Sequence, residues 1–375
     1  AVQGMVELVN KSSDQELPRL SPQTLSFVNK VAAHLPNRKL KGHRVTTEAE
    51  VKALKPEEID LARGLFLSEL GEESLDKIES YEALLDLMAL QIKARLSPDP
   101  SPKEIISACN SYIFEELGYR FPPHSIYAED IDLYTFLPSV IDSRRGVCLG
   151  VSILYITLAQ RLGLELEMVT PPGHIYVRSH DINIETTARG IDLDSSVYLG
   201  IDTRSLEVRS IREVIGMAHF NQAATFWRKS DPKKALECYQ KALPYMPDDK
   251  LLQELMAYNY LLDGQTETGW KLLEELKGWQ PDHAVSKNSV VEDLLSGAAD
   301  IEALRAVYKE VDEKRSSLLE KQKALEEMLK RCPRFRGGWF HLAVTHLQLH
   351  RMKEALAALE QAHLLSPTDA TAEYY

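Results

Sequence analysis

From Val151 to Leu162 the chain reads VSILYITLAQRL, strongly apolar over the length of a helix and held between Gly150 and Gly163. A run of this kind is buried, so it predicts a core packed around one helix. Cys148 stands at its start, in Gly146-Val147-Cys148-Leu149-Gly150. There the unpaired backbone N–H groups and the helix dipole favour a thiolate. Gly163 ends the helix. Leu164 to Val169 reads as a strand, and Pro171-Pro172-Gly173 turns the chain. His174 opens a second strand-like run, His-Ile-Tyr-Val, and Ile182-Asn-Ile-Glu185 gives a third.

Cys148, His174 and Glu185 thus fall on a helix start and two neighbouring strands. Nucleophile, base and orienting carboxylate need such a scaffold. A plainer reading stands beside it. A small cysteine on an apolar helix is commonly inert, and a histidine at a strand start is commonly a satisfied polar group. No spacing decides between them, because nucleophile and base need only meet in space.

The stretch resembles the transglutaminase-like superfamily, a papain-related cysteine fold, and within it the bacterial Sir B-type regulator branch. In the broader superfamily a Gly-x-Cys precedes a helix, a His-Ala-Trp strand follows, and an aspartate comes on the next strand. Gly146-Val147-Cys148 matches the first element. His174-Ile175-Tyr176 matches the second, with tyrosine for tryptophan, and Glu185 stands where the aspartate would be. The resemblance implies a cysteine hydrolase or acyltransferase that uses these three residues and needs no cofactor. It extends upstream through Tyr119 to Leu149 and into the helical N-terminal part.

At 375 residues two domains are expected, since single cores rarely grow past about 250–300 residues. The formal net charge of -12 argues against a nucleic-acid partner. No segment reads as a membrane span. The opening AVQGMVELV has no basic flank, so no signal peptide is read, although a start at alanine is compatible with a removed leader. Cys109, Cys148, Cys238 and Cys332 are far apart and show no metal spacing. That suits a reducing compartment, and a cytoplasmic location is expected. His341, His346 and His350 share a helix, but repeat register explains them without a metal.

Before the cysteine the chain reads as helices. Pro22 starts one, Ser74 to Leu96 is a long one with Leu84, Leu85, Leu87, Met88 and Ile92 as its core stripe, and Pro102 to Leu117 is another. Together they form an all-α cap on the core. His124 and Glu129 lie in a turn-rich stretch, where they either contact substrate or cap helices. Arg178 and Arg189 flank the histidine and glutamate strands and are candidates for a substrate carboxylate.

From about Gly216 the organisation changes to tetratricopeptide-like helix pairs. Pro247 to Pro281 and Pro333 to Pro367 each span 34 residues, one repeat period. Ala223, Phe226, Ala235, Tyr239 and Ala242 fit the small and aromatic positions of a first repeat; Trp339, Leu342, Ala343, Ala355, Leu359 and Ala362 fit the last. Ala298 to Arg331 carries a long helical pattern that breaks the period. The concave side falls to Phe220, Trp227 and Phe340. The expected fold is α+β, with a helical cap and papain-related core over residues 1–215 and an all-α repeat domain over 216–375. Two functions stay side by side: a cysteine-dependent amide hydrolase or acyltransferase acting on a protein or peptide, and a non-catalytic scaffold binding a protein partner through the repeats. The sequence carries no signature of oligomeric state.

Overall fold

Local signals in the sequence set the helix starts. In the computed structural model, which describes residues 20–122, 134–171, 173–193, 208–280, 289–311 and 314–367, Ser21 accepts the Thr24 backbone N–H at 3.2 Å to open α1 (Pro22–Ala32). The expectations for His124 and Glu129 lie outside the described residues. Thr47 and Glu50 form a reciprocal capping box on α2 (Glu48–Ala53). α3 (Leu61–Leu70) and α4 (Leu75–Lys93) follow, and Leu84, Leu85, Leu87, Met88 and Ile92 of α4 are all buried.

The helix predicted over Pro102 to Leu117 is interrupted. α5 (Pro102–Asn110) passes into a π-helical turn over Ser111–Glu116. The wider turn occurs where two side chains are tied elsewhere: Asn110 to the Gly190 carbonyl, Tyr112 to Gln91. α6 (Leu137–Ser143) ends with Arg144 in the left-handed region, and α7 (Cys148–Leu162) follows.

Every residue of α7 from Leu149 to Ala159 is buried. The helix packs on α3, α4 and α6 and on the sheet. Truncating one of its large aliphatics, such as Leu154, to alanine is expected to cost about 2–5 kcal/mol. The sheet comprises β1 (Glu167–Val169), β2 (Tyr176–Ser179), β3 (Ile182–Ile184) and β4 (Val208–Arg209), in the order β3-β2-β1-β4 with antiparallel neighbours. Val177 pairs with Ile184 and Arg178 with Asn183, and all of β2 is buried.

The chain forms two compact units: residues 1–221 with 244–246, and residues 222–243 with 247–375. The division falls inside α8 (Ile211–Arg228). Among the described residues the second unit is all helix: α9 (Pro232–Ala242), α10 (Lys250–Leu262), α11 (Thr266–Glu275), α12 (Val290–Leu295), α13 (Ile301–Val307), α14 (Arg315–Arg331), α15 (Arg336–Gln348) and α16 (Met352–Leu365). Small residues let them close. A Cβ on Gly269 would lie 2.7 Å from a Leu261 methyl carbon, and Ala235, Ala257, Ala343 and Ala355 are buried. The long helical pattern of Ala298 to Arg331 is two helices, α13 and α14. Tyr308, just past α13, packs its ring 4.4 Å from that of Trp227 and 6.0 Å from that of Tyr258. Trp227 is therefore a packed side chain rather than an open part of a concave face. Burial lowers the pKa of His341 to about 4, and its ring lies 6.3 Å from that of Tyr308.

Candidate active site

The glycines around Cys148 are dictated by backbone contact. A Cβ on Gly150 would fall 2.2 Å from the carbonyl oxygen of Tyr134, and one on Gly146 would fall 2.6 Å from a Val151 methyl. The Tyr134 segment lies directly against the first turn of α7, and its carbonyl accepts the Val147 N–H at 3.2 Å. Cys148 is the first helical residue after this junction. No side chain caps the first turn of the helix. Cys148 is half-buried, whereas Cys109, Cys238 and Cys332 are buried; all four are free thiols.

The hairpin brings the other two residues together. Extending the β2–β3 register sets Glu185 beside Tyr176. His174, two residues before Tyr176, then falls on the same face. His174 Nε2 lies 2.6 Å from Glu185 Oε2. The other carboxylate oxygen, Oε1, accepts the Thr187 N–H at 3.0 Å and the Thr187 hydroxyl at 2.5 Å. Cys148 is the other group that acts on the imidazole, and it raises the pKa of the ring.

The electrostatics follow from these contacts. Hydrogen bonds to Cys148 and then to Glu185 push the His174 pKa up to about 10, against the opposing effect of burial. Burial works against ionisation of Glu185, but the His174 and Thr187 hydrogen bonds outweigh it and hold the carboxyl below its ordinary value. The ring carries a proton at neutral pH and the carboxylate is charged.

Of the two candidate substrate arginines, one has another partner. Arg178 reaches Glu167 at 3.0 Å across β1 and β2, and Arg189 sits in the left-handed region within the turn after Glu185. Thr187 binds the carboxylate. Three residues that sequence reasoning did not single out hold the loop that follows: Ser152 and Asn110 contact it, and Tyr155 contacts Asn110. Ser152 and Tyr155 carried a signal, as polar positions four and seven residues after Cys148 on an apolar helix.

A second titratable cluster, His43, Asp60 and Glu82, lies at the other end of α7. It holds no cysteine and is threaded by guanidinium groups. Arg63 reaches Glu82 at 2.7 Å, and Arg161 lies 2.9 Å from Asp86 and 3.9 Å from Asp60. Burial, reinforced by Asp60 and Asp86, pushes Glu82 up to about 8 despite Arg63. For Asp60, burial is outweighed by Arg161, His43 and Asn37, which hold its carboxyl far below the usual range. Cationic side chains already fill the role a metal would take, and the cluster reads as an internal ion network.

Comparison with known proteins defines the class. Residues 79–199 match the family model described as the transglutaminase-like superfamily, so this stretch is a transglutaminase-like superfamily domain. A UPF0162 protein of Xylella fastidiosa is 36% identical over 73 residues, covering 20% of this chain and 25% of that protein. F-box only protein 21 of Mus musculus and of Homo sapiens is 28% identical over 117 residues, covering 30% of this chain and 17% of each relative. The chain thus matches a quarter or less of the length of these relatives. Among the described residues no helix is long and apolar enough to cross a membrane.

Proposed function

We propose that the protein is a cysteine-dependent amide hydrolase or acyltransferase, with Cys148 as nucleophile, His174 as acid and base, and Glu185 as orienting carboxylate. The observation that supports this reading is the His174–Glu185 contact at 2.6 Å, with a half-buried thiol at a helix start among the groups that raise the pKa of the ring. In this scheme the Cys148 sulfur, as thiolate, adds to an amide carbonyl carbon. The Cys148 backbone N–H, at the positive end of α7, faces the developing oxyanion. The C–N bond breaks as the leaving amine takes the proton from His174. A thioester remains, and the neutral imidazole then deprotonates water, for hydrolysis, or an acceptor amine, for transfer. Both routes return the thiol and the acyl product. The Sir B-type branch and a reducing, cytoplasmic setting belong to the same reading; four free thiols suit that setting. The test is a screen of peptide amides and of glutamine-donor and amine pairs under reducing conditions. Turnover abolished by Cys148→Ala is expected, and no turnover with any donor overturns the reading.

A second reading concerns the other unit. We assign α15 and α16 to a tetratricopeptide-like repeat that presents a surface to a protein partner. The paired helices and the 34-residue spacing of Pro333 and Pro367 support it. Phe340, half-buried on α15, is the side chain to change. Partner capture insensitive to Phe340→Ala and to removal of residues 247–375 would rule it out.

A further inference from the structure

Cys148, Ser152 and Tyr155 stand at i, i+4 and i+7, along one face of α7. The face that presents the thiol also grips the loop that carries Glu185. Ser152 Oγ lies 3.0 Å from Thr186 Oγ1, and both residues are buried. One turn further on, the Tyr155 hydroxyl lies 2.8 Å from Asn110 Oδ1. Asn110 Nδ2 in turn donates to the Gly190 carbonyl at 2.9 Å. The amide has one workable orientation, because rotating it would face its oxygen to the Gly190 carbonyl and its donors to the tyrosine.

Gly190 is where the carboxylate's loop closes. Its N–H bonds to the Glu185 carbonyl at 2.8 Å, and the Glu185 N–H bonds to the Ile191 carbonyl at 3.0 Å. Arg189 and Gly190 are consecutive residues at positive φ, 60° and 77°. For Arg189 this conformation costs energy that local contacts must offset. A Cβ on Gly190 would fall 2.2 Å from Asn110 Oδ1, so the loop and the amide fit with no room between them.

We propose that Asn110 is a positioning residue that couples the cysteine helix to the Glu185 loop and so fixes the carboxylate against His174. The inference rests on reading Cys148, His174 and Glu185 as the reacting set. Asn110 touches none of the three side chains in the contacts described above. It acts through Gly190 on one side and Tyr155 on the other.

The experiment is an NMR titration of the His174 ring in the full chain, for wild type, Asn110→Ala and Tyr155→Phe. In the wild type the midpoint is expected up to about 10. In Asn110→Ala it is expected to fall by roughly a unit or more, as Glu185 loses its fixed approach to the ring. Tyr155→Phe keeps the ring packing, removes only the hydroxyl, and shifts the midpoint the same way by less. It also decides the question if Asn110→Ala does not fold. Ile105→Val, a buried change on the same helix, lowers thermal stability without moving the midpoint. If wild-type His174 titrates near its ordinary value, the reacting set itself is not assembled and the proposal falls with it. If wild type titrates high and the folded variants match it, the positioning role alone is overturned.

Discussion

His174 Nε2 sits 2.6 Å from Glu185 Oε2, while Thr187 occupies the other carboxylate oxygen through both its N–H and its hydroxyl. The carboxylate therefore has one oxygen held by the backbone turn and one reserved for the ring. In the proposed reaction that division suits Glu185 to orient the ring. Glu185→Gln replaces the charge while keeping the shape. The amide oxygen can stay with Thr187, but its NH2 group then faces Nε2 and forces the ring to accept there. The imidazolium loses its counter-charge. Turnover is expected to fall by roughly 10²–10⁴-fold. The check is kcat on whichever amide the wild type cleaves, with circular dichroism to show an intact fold.

The raised His174 pKa links this pair to stability. The folded value is about 10 against an ordinary 6.5, so the folded state holds the proton more tightly. The stabilisation is fully present below about pH 6.5, declines above it, and is lost as pH rises through about 10. His174→Gln removes the titrating group. The stability gap between wild type and His174→Gln should therefore be widest below pH 6.5 and close toward pH 10. Urea denaturation across that range measures it. A gap that widens with rising pH would contradict the assigned direction.

The thiols should differ in reactivity. Cys148 is half-buried at a helix start, whereas Cys109, Cys238 and Cys332 are buried, and burial pushes the Cys109 thiol up to about 12. Limiting iodoacetamide at pH ~6 should label Cys148 first. His174→Ala should slow that labelling at pH ~6 more than at pH ~9, since it removes the cationic ring beside the thiol. Peptide mass mapping of each cysteine reads the outcome. Faster labelling of a buried cysteine, or a profile indifferent to His174, would mean the thiol and ring do not act together.

Much of this site was legible because its signals are local. Gly146, Cys148 and Gly150 sit at a helix start whose apolar run is contiguous, and His174 and Glu185 flank short strands bounded by turn residues. What the sequence did not give was the contacts between elements. Asn110 is an unremarkable polar residue near the end of α5, and only the fold sets it against Gly190, 80 residues away. The π-helical turn after it was hidden for the same reason, since it forms where Asn110 and Tyr112 are drawn to distant partners. In the second unit the small and aromatic positions pointed to the helices, yet α13 ends at Val307, next to Tyr308, whose ring packs on Trp227. The Arg161 network was invisible too: its members are scattered from Arg38 to Arg161, and no spacing rule joins them.

Gly150 offers the sharpest test of the junction beneath the thiol. Its φ is negative, so alanine is not excluded by backbone conformation, and alanine is normally the better helix former. Propensity alone would make Gly150→Ala stabilising by about 1 kcal/mol. Packing says the reverse. The added Cβ would stand 2.2 Å from the Tyr134 carbonyl oxygen and 2.8 Å from a Val140 methyl. The first of these is backbone and cannot move aside as a side-chain end can. Tyr134 is held in turn by the Val147 N–H, so displacing it pulls on the residue before Cys148. Overpacking of this kind costs roughly 1–3 kcal/mol. The expected result is a net loss of stability in chemical denaturation, together with altered alkylation of Cys148 as the first turn of α7 shifts. A variant as stable as wild type, with unchanged thiol reactivity, would show that the Tyr134 segment is not seated against this turn.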